Sequence, residues 1–325
     1  MSGSLKRIAR RTAAACGLFD TARMLSSQWP RILMYHNFCG PTEAREGRTP
    51  ADMLRQQLIH ITQHYRPISL PELGRALATN TPPPPRSIVI TVDDGYVSFR
   101  RWAFPLLQEF QVPATLFVVS DFLNSGEWLW TDKFDCVRKA ADGRASLSGD
   151  RGRAALRGLK RMPPAQRDQS LEELAQRAGV TIPAQAPAPY ALLSWAELEE
   201  LSRSALIDIG SHSRTHPILG SMGSEESWQE VYGSRQQLER RLGVEVASFC
   251  YPNGLSSDYR LDHIEMVEKA GYRCATAAHF GYVRAESNRF ALPRVGGDVT
   301  DMPMFRMRLD GFEYLQRRFT HGRCW

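Results

Sequence analysis

SIVITVDDGY (residues 87–96) decides the reading of this chain. The run 87–92 is apolar and rich in β-branched residues, which predicts a buried strand. It stops abruptly at Asp93-Asp94-Gly95. Two carboxylates at the end of a buried strand are costly without a partner. Successive strand residues point to opposite sides. One carboxylate can therefore hold a cation while the other reaches a substrate, provided the strand end turns. Asp-Gly is also a common turn dipeptide, so a plain turn is the competing reading.

On the C-terminal side a helix is expected at about 97–110, then a strand, ATLFVV (114–119). Strand, helix and strand in so short a span make a βαβ unit. Upstream, RILMY (31–35) reads as a buried strand. Residues 50–63 place Met53, Leu54, Leu58 and Ile61 at helical spacing. PELGRALA (71–78) is a further helix, followed by the stiff connector TPPPP. Residues 137–190 are polar, basic and poor in aromatics, and read as a helical insertion between core strands. Ser194 and Glu197 have capping-box spacing before the helix WAELEELSRS. LIDIG (206–210) is a strand running into SHSRTH. A helix at 226–243, closed by Gly243, precedes the strand VASFCY (246–251). A helix at 258–270, a strand at 273–277 and a last strand in RFALPRV (289–295) complete the pattern. Polar signals gather at strand C-terminal ends: Asp93-Asp94, His212 and Asn253. In α/β barrels those ends carry the active site.

Composition suits a globular enzyme: 325 residues, 42% hydrophobic and 23% charged. The net charge of +6 is spread along the chain except at its two ends. Six cysteines form no CxxC pair, so they predict a reducing compartment rather than a disulfide scaffold. The segment 1–30 is basic and helical in pattern, and 301–325 reads as a C-terminal extension. Thr12–Phe19 is too short and too weakly apolar for a signal peptide, so a cytoplasmic location is expected. Leu5, Ile8, Leu18 and Phe19 among Lys6, Arg7, Arg10 and Arg11 could form a basic interfacial helix, giving peripheral contact with the inner membrane. Packing on the chain's own domain is the alternative.

HSRTH (212–216) carries two histidines four apart, a spacing that on a helical turn sets both on one face. Imidazole suits Zn²⁺, Co²⁺, Ni²⁺ or Fe²⁺. Two histidines and one carboxylate form a recurrent open metal site. The second Asp is then a natural general base.

These residues resemble the motifs of the polysaccharide deacetylase family, carbohydrate esterase family four. TVDDGY (91–96) is similar to the family's T-F-D-D-G, and HSRTH to its H-S/T-x-x-H. PATLFVV (113–119) and IDIGSHSRTHPIL (207–219) resemble the family's runs around those motifs. RILMYH (31–36) resembles the lead strand of the branch in bacterial exopolysaccharide and lipopolysaccharide assembly. The resemblance covers about 31–300 and implies a distorted (β/α)7-type barrel. It implies Asp93 as catalytic base, a divalent metal, zinc foremost, on Asp94, His212 and His216, and hydrolysis of N-acetyl groups on amino sugars.

The sequence departs from the family in two places. The third motif, R-x-P-Y, is here Cys250-Tyr251-Pro252-Asn253, so the Arg that orients the base is absent. Arg294 in LPRV (292–295) is the candidate replacement, and Tyr251 and Asn253 are candidates for substrate contact. The L-x-H motif that supplies an acid has no clear match. His279 is the candidate acid, with His36 a further option. WLWTDKFD (128–135) resembles a tryptophan-rich stretch of related deacetylases; Trp128 and Trp130 could stack on sugars, and Asp132 or Asp135 could reach the base-side network. The partner implied is an N-acetylated glycan or lipid-linked sugar. The rival reading is a non-catalytic carbohydrate-binding member. Nucleic acid is not expected, because basic and aromatic residues are not interleaved on one face.

Overall fold

The computed structural model describes residues 3–43, 47–141, 147, 149–299 and 301–321. Seven parallel strands close on themselves: β1 (Arg31–Tyr35), β2 (Ser87–Val92), β3 (Ala114–Val118), β4 (Ile207–Ser211), β5 (Ser248–Cys250), β6 (Cys274–Phe280) and β7 (Leu292–Gly296). Closure runs through β1, which pairs with β2 from Arg31↔Ile88 to Tyr35↔Val92 and with β7 at Leu33↔Val295. The barrel that the family resemblance implied is the one observed. Every residue of β2 is buried, because one side faces the barrel interior and the other the helix layer.

Boundaries shift by a residue or two, as helix and strand ends commonly do. Three boundaries move further: the helix expected from 258 begins at Leu261, the strand expected to end at 277 runs to Phe280, and the last strand begins at Leu292 rather than 289. The helix expected over 226–243 is interrupted by a π-helical turn at Gln229–Gly233, and Gly243 ends it in the left-handed region at φ 67°. The Ser194 capping box forms, with Ser194 N–H donating to Glu197 Oε2 at 2.9 Å.

The stretch expected as an insertion, 137–190, holds the end of helix Trp130–Ala140 and the helices Gly149–Leu159 and Pro164–Ala178. These helices have their own apolar core of Trp130, Phe134, Val137, Leu159, Leu171 and Ala175. Ile218 joins that core from the segment after His216, so the insertion packs directly against the HSRTH loop.

The two chain ends meet where β1 begins. Arg31 is buried and donates to the carbonyls of Ser26, Trp29 and Leu309. Arg306 donates to Asp20 at 3.0 Å, and Phe19 packs on Phe312. The N-terminal segment is thus docked on the domain through Phe19, while Ile8, Leu18, Met24 and Leu25 remain exposed. The side chains of Leu5, Lys6 and Arg7, part of the expected interfacial face, lie outside the described residues. No helix among the described residues is long and apolar enough to cross a membrane.

Candidate active site

The strand ends build one mouth. Asp93 N–H still donates to Tyr35 O at 2.8 Å, so it sits in the barrel ladder. Asp94 and Gly95 then both adopt φ 77°, a left-handed turn that is strained for Asp94. A Cβ on Gly95 would also meet Val118 Cγ1 at 3.0 Å. This turn brings the two neighbouring carboxylates, which a continuing strand would send to opposite sides, into the same pocket.

His212 and His216 reach it from the end of β4. They lie on a loop, not on the helical turn their spacing suggested. Ser213 (φ 65°) and His216 (φ 58°) reverse the chain instead. Glu230 secures the reversal, accepting from Arg214 N–H at 2.8 Å and Thr215 N–H at 2.9 Å. The ring centroids end 4.8 Å apart.

Asp94 Oδ1 lies 3.4 Å from Nε2 of each histidine. Burial alone would raise the Asp94 carboxyl, but the adjoining histidines hold it below the usual range. His216 is pushed down to about 3 by burial, with His212 beside it adding to the effect. That leaves His216 a free lone pair for a cation. At His212 burial is outweighed by Cys250 and Asp94, which hold it well above its ordinary value, so a cation would bind there in exchange for its proton. His212 Nδ1 lies 2.8 Å from Cys250 O, which turns Nε2 toward Asp94. Three buried donors with atoms within 4.8 Å of one another therefore fit a single ion. Asp93, His212 and Cys250 form a second group of that size. They fit poorly, because Arg294 occupies both Asp93 oxygens and would repel the ion.

That arginine is the other main feature of the mouth. Arg294 Nη1 and Nη2 donate to Asp93 Oδ1 and Oδ2, each at 2.7 Å. Its Nε donates to Ala277 O at 2.8 Å and Nη1 also to Thr91 Oγ1 at 3.0 Å. Both partners are 2% exposed. Burial would raise the Asp93 carboxyl, and the guanidinium brings it below the ordinary value. A bidentate pair also fixes the carboxylate plane. Cys250 stands where the family's arginine would start, its Sγ 3.2 Å from Arg294 Nη2 and 3.6 Å from Asp93 Oδ2. A small side chain at 250 leaves room for the guanidinium arriving from β7.

His36 faces the base from the end of β1, with Nε2 3.8 Å from Asp93 Oδ2. Its Nδ1 lies 2.6 Å from Asp298 Oδ2, and Asp298 also accepts from Thr49. Burial opposes charge on the ring, yet Asp298 raises it to about 10. The ring retains 38% accessibility, so it stands at the rim where a substrate can touch it. Asp298 and Glu230 escaped the sequence reading. Asp298 lies two residues beyond β7, a strand-end position like that of His212 and a usable signal. Glu230, on a distant helix, gave none.

The pocket has a volume of about 170 Å³ and is lined by His36, Asp93, Asp94, His212, His216 and Arg294 with Met34, Thr131, Tyr251, Asn253 and Ala278. His279 is not among these. Ala278 borders the mouth, whereas His279 lines only the neighbouring depression, which Ala278 also borders, with Ser257, Phe280 and Asn288. Trp128 and Trp130 are also elsewhere, 1% and 4% exposed, packed on Tyr190 and under Arg167. The insertion buries them, and Thr131 takes the position at the pocket. Tyr251 lines the pocket, but its hydroxyl donates away from it to Phe290 O at 2.9 Å. Asp132 accepts from Tyr96 at 2.7 Å and is pushed up to about 8, chiefly by burial. Asp135 turns away to Lys139 and Tyr190.

A closed barrel with paired carboxylates and histidines at its mouth defines a hydrolase-type site on a deacetylase-like fold. Solved structures share the fold. The Streptococcus pyogenes deacetylase PplD aligns with a TM-score of 0.59 at 17% identity, over 88% of this chain and 97% of that one. IcaB from Ammonifex degensii aligns at 0.58 and 16% identity, over 86% and 97%. The polysaccharide deacetylase family model matches residues 80–275, and the chain belongs to that family. It is 31% identical over 293 residues to the poly-β-1,6-N-acetyl-D-glucosamine N-deacetylase of Escherichia coli K12, a match covering 86% of this chain. The chain spans only 35% of that relative's length.

Proposed function

We propose that this protein hydrolyses N-acetyl groups of amino sugars in a glycan or glycan precursor, releasing acetate, with a divalent ion on Asp94, His212 and His216. The observation that carries this is the pairing of a carboxylate fixed by Arg294 with a protonated histidine beside it, at the end of the adjacent strand, next to a donor set fit for a cation. A divalent ion there would polarise a carbonyl and lower the pKa of water. Carboxylate and imidazole donors suit zinc, cobalt, nickel or iron. Asp93, ionised and immobile, takes a proton from the attacking water. His36, kept protonated by Asp298, gives a proton to the departing amine nitrogen. Arg294 holds the base in register without competing for the substrate, since its own donors are spent on Asp93, Thr91 and Ala277.

The reading as a mere binding protein drew on the missing arginine. Arg294 supplies that charge from another strand, and pure binding has no use for an Asp93–His36 pair. The test is acetate release from a panel of N-acetylated glycans and lipid-linked sugars, with and without chelator. Release that stops on chelation and returns with added divalent ion supports the proposal. No release from any panel member by metal-loaded protein overturns it.

A further inference from the structure

The helical insertion does more than cover one side of the barrel. Thr131, Phe134, Arg138, Leu156 and Lys160 line a cleft of about 360 Å³. Thr131 also lines the catalytic pocket, so the two cavities adjoin. Lys160 closes the junction, its Nζ donating to Asn253 Oδ1 at 2.6 Å, and Asn253 lines the catalytic pocket. That neutral amide is the ammonium's one hydrogen-bond partner among the described residues. An ammonium has three protons to place and is stabilised chiefly by an anion.

The nearby acids are already used. Asp258, which attracts Lys160, accepts instead from Asn253 Nδ2, Leu255 N–H and Ser257 Oγ. Arg138 is paired with Asp135 and Arg153 with Asp150. Arg167, over the Trp130 ring, takes Asp168. Lys160 is only partly exposed, and burial lowers its affinity for its proton. A half-buried ammonium that meets its nearest carboxylate, Asp258, only through the Asn253 amide still has donors to place beside a substrate pocket, and an anion brought by the substrate would satisfy them directly.

We propose that the cleft receives the unit next to the acetamido sugar, and that Lys160 binds an anionic group, carboxylate or phosphate, on that unit. This rests on the deacetylase reading above. The experiment measures binding to the full-length Asp93→Asn variant by calorimetry, so that it does not depend on turnover. The probes are an N-acetylglucosamine tetramer (neutral), a hyaluronan tetrasaccharide (carboxylate) and UDP-N-acetylglucosamine (phosphate). An anionic probe is expected to bind better than the neutral one. Adding Lys160→Met should lower the ratio of anionic to neutral affinity about tenfold, the size of one charge-assisted hydrogen bond, and Lys160→Arg should restore most of it. Which anionic probe loses affinity identifies the source of the charge. Equal loss for neutral and anionic probes would show a merely structural lysine and overturn the proposal. So would a parent protein that binds all three probes alike. Should Lys160→Met fail to fold, the anionic preference of the parent must still fall as salt rises, and a salt-independent preference overturns the proposal. Absence of acetate release from every probe by the active enzyme would count against the deacetylase reading alone.

Discussion

The two halves of the mouth are built differently. The cation half comes from two short motifs, Asp94 after β2 and His212–His216 after β4. The proton half is gathered from three strand ends: His36 after β1, Asp93 after β2, and Arg294 with Asp298 in and after β7. In the first half every donor must meet one ion within a few ångströms, so spacing is tightly constrained. In the second, a charge need only arrive at the carboxylate, and any strand bordering the mouth can deliver it. Arg294 arriving where Cys250 leaves space is that freedom in use.

The largest effect that would separate the halves is expected from His216→Ala. It should remove bound metal and, with it, at least about a thousandfold of activity, the combined scale of losing the ion's electrostatic help. Elemental analysis of the purified protein reads the first and acetate release the second. Full metal content in the variant would break the comparison.

Asp298→Asn tests the proton half through pH. His36 is raised by Asp298, so its charged form is present below about 10 and lost above. Removing the carboxylate lowers that value. The alkaline limb of the rate profile should therefore move down by at least about one unit, while the acid limb set by Asp93 stays put. An unmoved alkaline limb would exclude His36 as the acid.

Arg294→Lys keeps a charge but loses the two-pronged geometry, and should cost about tenfold in kcat with less change in KM. The acid limb should shift upward, because the Asp93 carboxyl loses part of the interaction that lowers it. A purely KM effect would place Arg294 on the substrate instead. The smallest effect is expected from Trp128→Phe. It should lower stability by about 1–2 kcal/mol through imperfect repacking, with KM for a glycan unaltered, as read by thermal unfolding and initial rates. A large KM rise would return Trp128 to the sugar.

The same contrast explains what the sequence revealed. The strands were legible because β2, β3 and β4 are short runs that stop at polar residues; their closure into a barrel came from the family resemblance. The cation half was legible because adjacent carboxylates and two spaced histidines are conspicuous. His279 misled because it follows a strand core, yet Ala278 rather than His279 borders the mouth. Trp128 and Trp130 misled because aromatic rings serve equally as sugar platforms and as core. Glu230 shapes the His212–His216 loop from a buried helix position, and an acidic residue within a polar helix looks ordinary in sequence. Asp298 pairs with His36 across 262 positions, a contact that closure of the barrel creates and no local pattern announces.

The most direct measurement is made on Asp93→Asn, with metal content and acetate release determined on the same preparation. The carboxamide keeps the shape of the side chain while removing its capacity to take a proton. Metal bound in the parent's proportion, with acetate release reduced by at least about a hundredfold, is the predicted result. Acetate release at the parent's rate, or loss of the metal along with the activity, would contradict the division of the mouth into a cation half and a proton half.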